Sequence, residues 1–213
     1  MPIQLHQQIA PETELGIWRI EEPEAWFLDR LNLGTAERRQ LEQIKGRRRV
    51  EWLAARQLVH QMSGRKKRGL FLKDEYGKPH LEGSAHHISI SHSHELAAAI
   101  AAPVAAGVDI QYLVPRIERL AHKFMRPEEI ASLKPESRIE HIHIYWGGKE
   151  ALYKAYGRRA LDFRTHIHIT PFSYDPKGGE GKGRIIKEGY EAWFQLKYFL
   201  LENYMLVYGI QLI

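Results

Sequence analysis

The 213-residue chain contains no cysteine. That absence excludes disulfides, cysteine nucleophiles and thiolate metal sites, and it suits a reducing cytoplasm. Long apolar runs are also missing. None reaches the length of a membrane span, and the opening MPIQLHQQIAPETE lacks the apolar core of a signal peptide. There is no internal repeat and no low-complexity tract, and the one flexible-looking loop is DPKGGEGKG at 175–183. A cytoplasmic protein without a membrane partner is expected.

Hydrophobic residues at 44% and charged residues at 27% are ordinary for a globular chain and argue against disorder. The length allows one domain or two small ones with a real core. Lysine and arginine number 31 against 26 acidic residues, a net charge of +5. Such a balance points to an anionic partner: a nucleotide, a nucleic acid or an acidic protein.

Hydrophobic spacing predicts a strand over 14–20 and helices over about 23–31 and 35–62, with Val50, Leu53, Ala54, Leu58 and Met62 on the helical stripe. GLFLKDEYGKPHL reads as a short strand and a loop ending in Gly77-Lys78-Pro79. HHISIS, ELAAAIAA and AAGVDIQ are three successive strand candidates, the last two joined around Pro103. Residues 115–157 read as helical with breaks near Pro127 and Pro135. HIHIT follows, and then AWFQLKYFL and YMLVYGIQL form a hairpin through Glu202-Asn203. Long helices mixed with antiparallel strands give an α+β class.

Two motifs carry acids in apolar settings. In AAGVDIQ, a strand period of two sends Val108 and Ile110 to one face and Asp109 and Gln111 to the other. An aspartate there must be exposed, paired or bound to a cation; the plain alternative is an edge strand with Asp109 in water. In WGGKEALYKAYG (146–157), Trp146, Glu150 and Lys154 share one helical stripe. Glu150 and Lys154 could be a surface pair worth roughly 0.2–0.5 kcal/mol. Gly147 and Gly148 together cost a helix about 2 kcal/mol relative to alanine, so something must approach closely there. The two carboxylates and the Gln111 amide are hard oxygen donors that leave positions open for water and phosphate, the set Mg²⁺ prefers.

Several basic groups could hold phosphate: Lys78 beside Pro79, His92 in Ser91-His92-Ser93, Lys154, and the cluster Arg47, Arg48, Arg49 and Arg56. Arginine forks match phosphate bidentately and lysine acts as a point charge. Taken singly, each also reads as an ordinary turn, strand-end or solvated-face residue.

In order, GKP, SISHS, GVDIQ and WGGKEALYK resemble the motifs of the 4′-phosphopantetheinyl transferases, in particular the long single-chain type that activates peptide synthetases. RRRVEWLAARQLV and FMRPEEIASL resemble two further helices of that family. The resemblance implies a pseudo-symmetric α+β fold of two similar halves, 1–104 and 105–213. Each half would pack a small antiparallel sheet on a long helix, with the active site between them. It implies Mg²⁺-dependent transfer of the phosphopantetheine arm of coenzyme A to a serine of an apo acyl or peptidyl carrier protein, releasing adenosine 3′,5′-bisphosphate. Asp109 and Glu150, with Gln111 as a third candidate, would ligate the metal, and Glu150 would accept the serine proton. Lys154 and His92, next to Ser91, would contact the pyrophosphate. Lys78, Pro79, Arg47 and Arg56 would hold the adenosine side, and Lys149 would hold coenzyme phosphate or serve the fold. Gln111 departs from the family, where many relatives carry an acid, and weaker Mg²⁺ binding is expected. Lys123-Phe124-Met125-Arg126 resembles a docking region for the acidic carrier, although Phe124 reads equally well as core. A monomer is expected.

Three rivals differ in class. A nucleic-acid binder would use KGRRR and GRKKRG, but no helix-turn-helix, RNA-recognition or zinc-finger pattern accompanies them. A catalytically weak relative would bind coenzyme A or carrier only. A zinc site would draw on the i,i+2 pairs His92/His94, His141/His143 and His166/His168, for which ordinary surface histidines are the plainer reading.

Overall fold

The computed structural model describes residues 3–213. Packing divides the chain into two compact units, Met1–Pro103 and Val104–Ile213. Among the described residues there are three antiparallel sheets and six α-helices, an α+β architecture.

In the first unit β1 (Ile3–Ala10) and β2 (Thr13–Arg19) form a hairpin, followed by α1 (Glu24–Leu31), α2 (Thr35–Glu42) and α3 (Arg48–Met62). A small hairpin, β3 (Phe71–Lys73) with β4 (Pro79–Leu81), leads into β5 (His87–Ser93) and β6 (Leu96–Ala102). The four-stranded sheet has the order β1-β2-β6-β5. Leu53, Ala54, Leu58 and Met62 of α3 enter a core with Trp18, Phe27 and Leu31, where the small side chains Ala97 and Ala99 of β6 let the helix lie close.

The second unit runs from β7 (Ala106–Tyr112) through a 3₁₀ turn (Pro115–Leu120), α4 (Ala121–Phe124) and α5 (Pro127–Ala131). A 3₁₀ turn at Pro135–Ser137 then leads to α6 (Arg138–Tyr156), β8 (Ile167–Ile169), β9 (Gly179–Lys187), β10 (Tyr190–Leu201) and β11 (Tyr204–Gln211). Its sheet has the order β7-β11-β10-β9-β8, and α6 packs across β7 and β11.

Three sequence readings change. The helix expected over 35–62 is two helices, because Gly46 takes φ +62° and breaks the run between α2 and α3. β1 escapes the pattern because most of its side chains alternate weakly and stay exposed or half-buried. Much of the supposed loop at 175–183 is the start of β9, whose backbone is satisfied by antiparallel pairing with β10 from Gly179↔Tyr198 to Lys187↔Tyr190. β6 and β7, the strand candidates joined around Pro103, belong to different sheets.

Candidate active site

β7 is an edge strand, yet Asp109 is only 7% exposed. The helix above it is the reason. At Gly107 the strand runs so close to α6 that a Cβ would lie 1.9 Å from the Ala151 carbonyl oxygen. No side chain fits there, so glycine is required for the contact. The close approach sets Asp109, two residues along the strand, against the turn of α6 that carries Glu150 and Lys154.

Lys154 Nζ donates to Asp109 Oδ1 at 2.7 Å and to the Val108 carbonyl at 3.0 Å. The i,i+4 surface pair is therefore not the main partnership of this lysine; its carboxylate partner comes from the strand. Glu150 is half-buried, and burial, then repulsion from Asp109, raises its pKa above the ordinary carboxylate range while Lys154 opposes the rise. Two carboxylates that repel each other beside one ammonium leave an excess of negative charge that would attract a divalent cation. Hard oxygen donors fit Mg²⁺. Among the described residues there is no group of three or more His, Asp or Glu side chains placed to hold a metal.

Gln111 does not present its oxygen to this pair. Oε1 lies 2.8 Å from His143 Nδ1, while Nε2 lies 3.0 Å from the His143 carbonyl oxygen and 3.3 Å from Asp109 Oδ2. The nitrogen faces the acid, which corrects the expectation of a third oxygen ligand. Burial lowers the pKa of His143 and keeps its ring neutral near pH 7.

Gly147 and Gly148 make room for the sheet, not for substrate. A Cβ on Gly147 would lie 2.8 Å from Val207 Cγ2 and 2.9 Å from Gln111 Nε2; one on Gly148 would lie 2.7 Å from Ile169 Cδ1. Lys149 also leaves the coenzyme-binding set. It is fully buried, and its ammonium is bonded to Glu129 Oε2 at 2.9 Å and to the Phe163 and Ile167 carbonyls at 2.9 and 2.7 Å. All three of its protons are used.

The first unit carries a separate basic cavity of about 550 Å³, lined by Gln43, Ile44, Lys45, Arg48, Trp52 and His92. His92 Nδ1 lies 2.9 Å from Glu51 Oε2, so α3 aims the ring. Arg47 is exposed on the same helix end, with Nε 3.3 Å from the His94 carbonyl. Arg56 is 3% exposed, stacked 3.2 Å over the Trp52 ring and paired with Glu37 at 3.6 Å, so it serves the core instead of a ligand. Arg49 is likewise tied to Glu24 and to the Leu41 and Ile44 carbonyls. Lys45 and Arg48 are the cationic residues that line the cavity. An arginine run at a helix start does not reveal which members turn inward, and the resemblance, which points to Arg47 and Arg56, does not single out Arg48.

Lys78 closes the β3–β4 hairpin, its amide donating to Asp74 Oδ1 at 2.9 Å, and burial lowers its ammonium pKa. Pro79 opens β4 opposite Lys73. Ser91 is buried on β5 opposite Ala98. In the second unit Phe124 is core, edge-on to Trp146. Lys123 and Arg126 line a cavity of about 580 Å³ with Arg164 and His168, and Arg126 is bonded to Glu128 and His168.

Residues 105–200 match the family model of the 4′-phosphopantetheinyl transferase superfamily. The matched stretch holds Asp109, Gln111, Lys149, Glu150 and Lys154; Arg47, Arg56, Lys78, Pro79, Ser91 and His92 lie outside it. No curated protein matches the chain. Among the described residues no helix is long and apolar enough to cross a membrane.

Proposed function

We propose that this chain transfers the 4′-phosphopantetheine arm of coenzyme A to a serine hydroxyl of an apo carrier protein, in the manner of the long single-chain transferases. The meeting of Asp109, Glu150 and Lys154 beneath the Gly107–Ala151 contact carries this reading. The matched stretch around it supplies the chemistry class. In the reaction the serine oxygen forms a bond to the β-phosphorus of the coenzyme. The bond from that phosphorus to the bridging oxygen breaks, and adenosine 3′,5′-bisphosphate leaves.

Asp109 and Glu150 are the residues that would hold Mg²⁺; when bound, the ion neutralises the pyrophosphate and stabilises charge on the leaving oxygen. Lys154 places a fixed positive charge at the same spot, which phosphoryl-type transfer requires. Glu150, kept basic by burial and by Asp109, accepts the serine proton directly or through a water. Lys45, Arg48 and His92 in the first-unit cavity suit the phosphates of the adenosine side, with Trp52 offering a face for stacking. Arg47, Lys78, Pro79 and Ser91 are further candidates for the same ligand. The cavity of Lys123, Arg126, Arg164 and His168 suits an acidic carrier.

The test is intact-mass analysis of several apo carriers incubated with the protein, coenzyme A and Mg²⁺. A gain of one phosphopantetheine arm, lost in Asp109→Asn and Glu150→Gln, is expected. Coenzyme binding without any mass gain on any carrier would leave only a non-catalytic relative.

A further inference from the structure

The atoms around the Gln111 side-chain amide fix which way round it lies. Its outer amide atom sits 3.0 Å from the His143 carbonyl oxygen and 3.3 Å from Asp109 Oδ2. Both neighbours are acceptors only, so that atom must be the N–H₂; an oxygen there would face two other oxygens. The inner atom is then the oxygen, 2.8 Å from His143 Nδ1, which must carry a proton to donate to it. The ring's other nitrogen, Nε2, is left with its lone pair and accepts the Val114 backbone N–H at 3.0 Å. The Val114 carbonyl is farther, 3.3 Å from that nitrogen, and alone would favour the opposite tautomer.

We propose that His143 and Gln111 form a brace for Asp109: the neutral His143 ring fixes the amide so that its nitrogen orients the Asp109 carboxylate, and Gln111 is kept out of the metal's ligand set. The two oxygens of Asp109 are then aimed from opposite sides, Oδ1 by Lys154 and Oδ2 by Gln111. Both His143 and Gln111 are positioning residues, acting through Asp109. The brace sits tightly, since Gly147 leaves no room for even a methyl group beside the amide nitrogen. Its consequence for the site rests on the proposed metal reading; the amide geometry itself does not.

Long-range ¹H–¹⁵N spectra of the histidine rings, with His143 assigned by its loss in His143→Asn, read the tautomer directly. The expected result is a proton on Nδ1; a proton on Nε2 alone would turn the amide round and overturn the brace. Carbon spectra during Mg²⁺ titration of the free protein give the second readout. The Asp109 and Glu150 carboxyl carbons should move while the Gln111 amide carbon stays. Movement of Gln111 together with the two acids would make it a ligand and refute the proposal. No movement at Asp109 or Glu150 would instead remove the metal reading, and the brace's role in it. In carrier modification His143→Leu should lower kcat about tenfold, a usual size for losing an outer partner of a metal-bound carboxylate. KM for coenzyme A should not change, and His143→Asn, which keeps a donor near Nδ1, should recover most of the loss. Equal loss in both variants would mark a merely structural histidine.

Discussion

Lys149 and Glu129 are both fully buried, and their 2.9 Å contact ties α5 and α6 to the segment entering β8. Glu129 also accepts the Arg126 and Ile169 amides, and Lys149 caps the Phe163 and Ile167 carbonyls, so each charge is saturated by partners. Removing one member leaves the other charged and dry. Lys149→Met should therefore destabilise the protein by about 3 kcal/mol or more, read as a lower urea midpoint. A coenzyme-binding lysine would instead raise KM and leave the midpoint alone. His141 poses the opposite case. Both ring nitrogens are buried without a hydrogen-bond partner among the described residues, the ring stacks on Tyr145 and touches Phe172, and burial lowers its pKa to about 4. The unfolded chain takes up this proton near pH 6.5, before the folded one does. Stability should therefore fall as pH drops from about 6.5 to about 4, by roughly 3 kcal/mol from this group once the drop is complete. His143, His60 and His87 are also lowered and add to the trend. The difference between wild type and His141→Phe isolates the share of His141; parallel curves for the two would refute the assignment.

At the scale of elements, the crossing of β7 under α6 determines whether a site exists. The 1.9 Å that a Gly107 Cβ would leave to the Ala151 carbonyl involves backbone on both sides, so neither partner can swing away. Gly107→Ala should push strand and helix apart, costing about 1–3 kcal/mol as overpacking does, and separate Asp109 from Lys154. Activity should fall far more than the loss of folded protein explains, which activity per folded molecule at low temperature would measure. Retained activity would mean that the crossing does not position the acids. The sequence disclosed both elements and both acids, since VDI and KEALYK are local patterns. It hid the reason for the glycines, because a close approach is a property of two elements, and period alone cannot say what lies opposite. The same limit explains Lys149, whose three acceptors come from α5 and from residues 163 and 167. It explains Gln111 too: only the fold brings His143 to it, 32 residues away.

At the scale of the whole molecule, charge is the property that bears on partners. The chain carries +5, and each unit presents a basic cavity, one lined by Lys45 and Arg48 and one by Lys123, Arg126 and Arg164. Class and most elements were legible because composition and periodicity are summed over many residues. The address of the surplus charge was not, since half of the arginines singled out in KGRRR and beyond proved to be internal struts: Arg49 on Glu24, Arg56 over Trp52. What remains exposed is the part that can steer a partner. If the partner is an acidic carrier, long-range attraction speeds encounter and is screened over about 10 Å at 0.1 M salt. Raising salt from about 0.02 to 0.3 M should therefore lower kcat/KM for the carrier several-fold and leave kcat nearly unchanged, since charges already in contact are screened least. Charge reversal at exposed Lys123 should flatten that salt dependence without altering the modification of a carrier at saturating concentration. A kcat/KM indifferent to salt would mean that the basic surplus serves the coenzyme alone.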